Sequence, residues 1–509
     1  MSLGTTAAVA LVGLTGHVVE VQAQLAYSVP GFSLVGLPDT ALSESRDRVR
    51  AAVLSSRIDW PNRKITVNLS PASLPKQGSA FDLAVAVAVL AGAGQVRAAG
   101  LDRVVHIGEL GLDGRLQPVR GVLPMVAAAV AAGRTDVVVP TADVAEASLV
   151  PGARVRGATT LAQVVALHGG DPGTLPDVDP VRPARVTSVR RAPGDLADVL
   201  GQELPRTALE IAAAGGHHLL LTGPPGTGKT MLAARLPGIL PDLTEAEAVE
   251  VTAVHSVAGT FDPGGGLLTR PPYEDPHHTA TPAAVVGGGS GQPRPGAASR
   301  AHRGILFLDE APEFGSRVLE TLRQPLEHGE LVIHRSGGTA RFPARFQLVL
   351  AANPCPCGMA TGKGLECTCT PMARRRYLGR LSGPLLDRVD LQVEVAPVGR
   401  AGMRGEPGEP SAVVAARVAA ARAAARARLA GTPWTVNAEV PGTWLRERLR
   451  GRWSVMRDVD RALDTGAISL RGADRVLRLA STIADLAGRD EPTAGDVGQA
   501  LVLRTGRAA

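Results

Sequence analysis

Gly223-Pro224-Pro225-Gly226-Thr227-Gly228-Lys229-Thr230 follows the apolar run His218-Leu219-Leu220-Leu221-Thr222. These residue types in this order suit a loop that cradles phosphate. The glycines let backbone N–H groups converge on phosphate oxygens, and a helix opening near Lys229 aims its positive end at them. Lys229 would reach the β and γ phosphates of a triphosphate such as ATP, and Thr230 would hold Mg²⁺. A glycine-rich turn with no function could match the same string, so a second feature must decide. Gly304-Ile305-Leu306-Phe307-Leu308-Asp309-Glu310 supplies it. An apolar run ending in two acids predicts a strand of a parallel sheet, buried on both faces, that delivers carboxylates at its C-terminal edge. Asp309 would orient the Mg²⁺ shell and Glu310 would polarise the attacking water. An Asp-Glu helix cap is the plainer alternative, but two nucleotide motifs in the correct order argue against it. Asn353 ends the next apolar strand, Arg345 to Ala352, where its amide would help to orient the water.

Cys355-x-Cys357 and Cys367-x-Cys369 hold all four cysteines of the chain. Such grouping calls for metal before disulfides in a reducing compartment. Two pairs brought together by a loop suit a structural tetrahedral Zn²⁺, although one residue separates each pair instead of the commoner two; reduced free thiols are the alternative. The following Arg374-Arg375-Arg376 either contacts phosphates or is simply solvated. His255, His277 and His278 lack matched acidic or cysteine ligands and do not argue for metal. They belong to residues 254–300, a region too long for an ordinary connection and expected to be a functional insertion. Ser336-Gly337-Gly338-Thr339, between Leu331–Arg335 and Ala340–Phe342, is a hairpin signal, and such a hairpin can project into a central pore. Arg388, in Ser382-Gly383-Pro384-Leu385-Leu386-Asp387-Arg388-Val389-Asp390, has no obvious phosphate to meet in its own subunit. In a ring it would meet a neighbour's, as an arginine finger.

The elements that position these residues form several modules. A length of 509 residues suggests about three domains, and 45% apolar content suffices for several cores. A net charge of +6 mildly favours an acidic partner such as nucleic acid, or merely solubility. Aromatic residues are only 3%, so any nucleic-acid contact should run through phosphates and weaken with salt. No apolar run reaches the length of a membrane span, and the N-terminus has no basic residue ahead of its apolar part, which places the chain in the cytoplasm. Residues 1–170 alternate strand and helix patterns, with a long alanine-rich helix at Ala80–Ala91, and predict a complete α/β domain. Residues 171–194 are a linker rich in proline, with Arg182, Arg185, Arg190 and Arg191 in its second half. The ATPase core spans 195–400, with the helix from Lys229 expected to run to Leu236, and a helical lid follows at 401–509. In that lid, Ser411–Leu429 predicts a helix with Val414, Val418, Ala425 and Leu429 on one stripe, flanked by Arg417, Arg422, Arg426 and Arg428 that either touch DNA or solvate it.

Pro75-Lys76-Gln77-Gly78-Ser79-Ala80 and Gly108–Gly121 resemble the active-site region of Lon-type proteases, a fold also similar to ribosomal protein S5 domain 2. Those enzymes need a serine activated by a lysine. Here the serine is displaced by one position and Leu123 stands where the base belongs, so assembly or substrate contact is the expected role. Across nearly the whole chain, Gly201-Gln202, the phosphate loop, His255-Ser256, His277-His278-Thr279, Gly287–Gly289, Asp309-Glu310, Asn353-Pro354-Cys355-Pro356-Cys357-Gly358 and Ser382–Asp390 resemble the ComM/YifB family of magnesium-chelatase-like AAA+ ATPases. The resemblance implies an α/β AAA+ core, a parallel sheet with helices on both faces, and a hexameric ring that uses ATP and Mg²⁺. It further implies a helicase driving branch migration of DNA during natural transformation, with branched or single-stranded DNA as partner. The helix start at Ser469 resembles that of related ring ATPases and makes Arg471 the expected nucleotide-sensing lid arginine, with Arg475 second. Two other classes stay open: a magnesium-chelatase motor subunit acting on a porphyrin-holding partner, and a non-motor ATP-gated scaffold.

Overall fold

The computed structural model describes residues 2–505 except 38, 40–41, 43, 77, 173–177, 182–193, 290–292, 336–337, 361–365 and 400–407. The four linker arginines and the hairpin tip at Ser336-Gly337 lie outside the described residues.

The first domain is built on a seven-stranded mixed sheet. Its strands are β1 (Ser2–Val12), β2 (Thr15–Ala26), β3 (Gly31–Val35), β4 (Lys64–Ser70), β5 (Val105–His106), β6 (Asp136–Pro140) and β7 (Arg154–Ala158). They lie in the order β3-β4-β2-β1-β5-β6-β7. Its helices include α1 (Ser45–Ser55), α2 (Asp82–Ala93), α3 (Val122–Ala131) and the short α4 (Val144–Ala147). Every residue of α2 from Asp82 to Gly92 is buried, which explains a sequence with no polar face. The helix lies so close to β1 that a Cβ on Gly4 would sit 2.1 Å from the Ala88 carbonyl oxygen. The protease-like residues are not paired with one another. The Ser79 hydroxyl bonds to Glu109, and the buried Lys76 ammonium bonds to the Pro71 carbonyl.

The core carries a parallel five-stranded sheet in the order β9-β10-β13-β8-β14. These strands are β8 (Leu219–Thr222), β9 (Tyr273–Glu274), β10 (Ile305–Leu308), β13 (Gln347–Ala352) and β14 (Leu391–Glu394), while β11 (Glu330–Arg335) and β12 (Gly338–Pro343) form the separate hairpin. Alternate residues of the central strands serve opposite faces, as strand geometry requires. Leu219, Leu221, Ile305, Phe307, Val349 and Ala351 join one core. Leu220, Leu306, Leu308, Leu348 and Leu350 join the other. Both faces are covered by helices, which is why the strands read as continuous apolar runs.

Two expectations need correction. The helix after the phosphate loop, α6 (Lys229–Ala233), ends before Leu236, where a 3₁₀ turn over Leu236–Ile239 takes over. Residues 254–258 finish α7 (Glu245–Ala258), a helix started by a Thr244–Glu247 capping box. The region beyond is not only an insertion, because it supplies edge strand β9. Tyr273 stacks on Phe307 at 6.1 Å and Glu274 pairs with Arg300 at 2.7 Å.

The lid packs α8 (Ser411–Arg428), α9 (Leu470–Leu486) and α10 (Ala494–Thr505) against the core helix α5 (Glu203–Gly215) and β14. Val414, Val418, Ala421 and Ala425 form the buried stripe of α8. Its arginines are not all free for DNA: Arg417 forks onto Glu210 at 2.6 and 3.0 Å, and Arg428 pairs with buried Asp485. The first domain docks on the core through one apolar cluster that joins Val9, Leu11 and Met125 to Val257, Ala340 and Phe342. Beside it the Ser256 hydroxyl donates to Glu146, whose same oxygen accepts the Leu123 N–H at 2.8 Å. The position that lacks the protease lysine thus lies at a contact between domains.

Candidate nucleotide site and cysteine cluster

Strands β8, β10 and β13 end at one edge of the sheet: Thr222 pairs with Ala352, and Leu308 with Leu350. The phosphate loop, Asp309-Glu310 and Asn353 therefore emerge together, although they are far apart in the chain. The loop folds as its glycines require, with φ of +76° at Gly226 and +89° at Gly228. At Gly223 the reason is space, since a Cβ there would lie 2.3 Å from the Val395 carbonyl oxygen. Thr227 Oγ1 donates to the Pro224 carbonyl at 2.9 Å, which braces the turn around Pro225.

Lys229 Nζ donates to the Gly223 and Pro224 carbonyls at 2.8 Å each and to Asn353 Oδ1 at 3.1 Å. Burial pulls its pKa down, opposed by the charges of Asp309 and Glu310. Thr230 Oγ1 donates to Asp309 Oδ2 at 2.6 Å, while Asp309 Oδ1 accepts the Glu310 N–H at 2.9 Å. With its proton committed to Asp309, the Thr230 oxygen has lone pairs to offer a hard cation. The donor set therefore fits a nucleoside triphosphate with Mg²⁺.

Glu310 adopts φ +51°, a left-handed conformation unfavourable for a residue with a Cβ. Its carboxylate lies 3.2 Å from His278 Nδ1, and His278 packs on His277 with ring centres 4.1 Å apart. His278 thus lies against Glu310, with His277 packed on it and bonded to Thr279. His255 is elsewhere, bonded to Thr260 at 2.9 Å and to the Arg300 carbonyl at 3.0 Å. Sequence spacing gave His278 no role, because a long Gly- and Pro-rich segment offers no period from which to place it.

The four cysteine sulfurs lie within 4.8 Å of one another, with Cys355 buried. Sγ separations are 3.3 Å for Cys355–Cys357 and 3.6 Å from each of these to Cys367. Tetrahedral Zn–S bonds of about 2.3 Å place sulfurs about 3.8 Å apart, so the cluster is compatible with a structural Zn²⁺. The Met359 N–H, then the Cys355 thiol, pull Cys357 down to about 6, while burial pushes Cys367 up, so the first thiolate of the cluster forms at Cys357. The cluster also touches the phosphate loop. A Cβ on Gly358 would lie 2.4 Å from Pro225 Cδ.

Arg388 and Arg471 are not brought to the phosphate loop of their own chain. Arg388 precedes β14, whose first residue, Leu391, pairs with Leu219 at the opposite edge of the sheet. Its guanidinium is paired with Glu327 and bonded to the Pro384 carbonyl. Burial lowers its pKa, helped by the positive charges of Arg323, Arg471 and Arg475. Arg471 is exposed in the first turn of α9, after the Ser469 cap, and Arg475 one turn on pairs with buried Asp390 at 2.5 Å. The Arg388–Arg471–Arg475 group is a finding, since sequence alone placed these residues in separate modules.

A parallel sheet with these motifs at one edge, a helical lid, and arginines at the other edge defines an AAA+ core of the magnesium-chelatase type. Family models agree: "Magnesium chelatase, subunit ChlI" matches residues 195–403, "Subunit ChlI of Mg-chelatase" matches 19–143, and "Magnesium chelatase, subunit ChlI C-terminal" matches 408–504. The chain is 51% identical over 507 residues to the uncharacterized protein Rv2897c of Mycobacterium tuberculosis (strain ATCC 25618 / H37Rv), covering 99% of each. It is 40% identical over 506 residues to the competence protein ComM of Haemophilus influenzae, covering 99% of this chain and 98% of that one. It is 40% identical over 508 residues to YifB of Escherichia coli (strain K12), covering 99% and 97%. The chain belongs to the ComM/YifB family of magnesium-chelatase-like AAA+ proteins.

Proposed function

We propose that this protein is an ATP-hydrolysing motor that works on DNA as a ring, most simply a hexamer, and promotes branch migration during uptake and recombination. The observation that carries the ring is the split site. Lys229, Thr230, Asp309, Glu310 and Asn353 share one sheet edge, while Arg388 belongs to the other and so suits a neighbour's nucleotide, with the lid arginine Arg471 near it. Mg²⁺, when bound, neutralises phosphate charge beside Thr230 and Asp309. Lys229 binds the phosphates, Glu310 takes the proton of the attacking water, Asn353 orients that water, and Arg388 of a neighbouring copy offsets the developing charge. Action on DNA is supported by whole-length similarity to a competence protein.

The chelatase names of the matching models favour a second reading, a motor acting on a porphyrin-holding partner. ATP hydrolysis measured with and without branched and single-stranded DNA separates the two. The motor reading expects stimulation by DNA, and no stimulation by any such DNA contradicts it.

A further inference from the structure

A cleft of about 500 Å³ opens between core and lid, at the sheet edge opposite the phosphate loop. Gly304 and Gln347, at the starts of β10 and β13, form its floor, and residues of α8 and α9 form its far wall. That volume is typical of small-molecule sites, which run from about 300 to 1,000 Å³. Its lining carries five arginines beside four carboxylates, and Arg303 is already paired with Glu247. Arg422 and Arg426 enter from successive turns of α8, Arg478 from α9, and Arg345 from the core.

Two of these guanidiniums are fixed in place by backbone carbonyls and not by an ion pair. Arg422 Nε donates to the Ala213 carbonyl at 2.8 Å and Arg478 Nε to the Val440 carbonyl at 2.6 Å. Both side chains lie deep among protein atoms yet keep part of their surface on the cleft. Among the described residues, no carboxylate forms an ion pair with Arg345, Arg422, Arg426 or Arg478. The acids of the same lining are already engaged: Glu247 by Thr244 and Arg303, Asp242 by Arg270, Glu327 by Arg388, and Glu439 by the Thr435 N–H. Burial, then the charge of Arg426, pushes Arg422 down to about 10, and burial lowers Arg478 as well. Glu247 and Glu439 offset part of that crowding without pairing to these guanidiniums, and an anion between them relieves the remaining cost.

We propose that this cleft is a second anion site, distinct from the nucleotide site, for a phosphate-bearing ligand that bridges core and lid. Guanidiniums fork onto phosphate oxygens, and nitrogens left over from the carbonyl bonds are available to do so. Trp434 lines the same cleft and gives a base attached to that phosphate an aromatic surface. The phosphate comes either from a free nucleotide or from a nucleic-acid strand. Since its walls belong to both core and lid, an occupied cleft resists their separation.

The test uses the full chain carrying Lys229→Ala, so that the first nucleotide site does not contribute and failure of the motor reading leaves the test intact. Inorganic tripolyphosphate is titrated by calorimetry, with ATP and a single-stranded oligonucleotide as competitors. Saturable binding is expected, weakened at least about tenfold by Arg422→Gln or Arg478→Gln. Arg426→Ala, at an exposed position that should not disturb folding, weakens it in the same direction. Displacement by ATP assigns the site to nucleotides, and displacement by the oligonucleotide assigns it to a strand. Absence of saturable binding, binding indifferent to all three substitutions, or binding that neither competitor displaces would overturn the proposal.

Discussion

Glu310 is held in a backbone conformation that costs on the order of 1–3 kcal/mol, and His278 lies against its carboxylate at 3.2 Å. Strain and partner together fix the direction in which this acid points. Glu310→Gln keeps the shape of the site and removes the base, so ATP should still bind while kcat falls by about 10²–10⁴-fold. His278→Ala should lower kcat by about tenfold with KM nearly unchanged, because the histidine orients a base and does not hold phosphate. If orientation is its role, the double variant should be no slower than Glu310→Gln alone. Additive losses in that cycle would show instead that His278 acts independently of Glu310. Lys229, Thr230 and Asp309 were legible as residues because their chemistry sits in short strings with fixed spacing. His278 was not, because its role depends on where a long segment returns to the sheet.

The cysteine loop is pressed against the phosphate loop, and Gly358 is the point of contact. Gly358→Ala would bring a methyl 2.4 Å from Pro225 Cδ at a position where φ is already +77°. It should weaken ATP binding by about tenfold or more while leaving the four thiols to bind Zn²⁺, as measured by nucleotide titration beside metal analysis. Metal analysis finding no zinc in protein purified without chelator removes the metal from this account. The docked face of the first domain carries a second, pH-dependent element. Asp143 accepts the Val119 N–H at 3.0 Å, and burial pushes its carboxyl up to about 7 from 3.8. The folded state therefore binds this proton more tightly than the unfolded state. Its contribution to stability is full below about pH 4 and is lost as pH rises through about 7. Thermal unfolding should show that loss, and Asp143→Asn should flatten it; an unchanged profile would contradict the assignment. Strands and helices with strong apolar periods were legible in the sequence to within a few residues. Helix α7 and strand β9 were not legible in the sequence, and β9 is held by Phe307 and Arg300 and not by its own propensity. The contacts Ser256–Glu146 and Gly358–Pro225 are tertiary, and no local spacing encodes them.

At the scale of the whole molecule, one subunit carries the phosphate loop and Arg388 at opposite edges of a sheet. A single copy cannot bring them together, whereas a ring can at every junction. Arg388→Ala should leave ATP binding intact and lower hydrolysis by about 10³-fold or more. Mixing Arg388→Ala with Lys229→Ala subunits, each inactive alone, should restore part of the activity, because some junctions then pair an intact phosphate loop with an intact arginine. No recovery in mixed assemblies would place the arginines outside the reaction. The central claim, that hydrolysis at such junctions moves DNA, is tested most directly by following a synthetic four-way junction with and without ATP. Strand exchange at the junction should proceed with wild-type protein and ATP, and should stop without ATP or with Glu310→Gln. Hydrolysis of ATP with no movement of the junction would contradict the account.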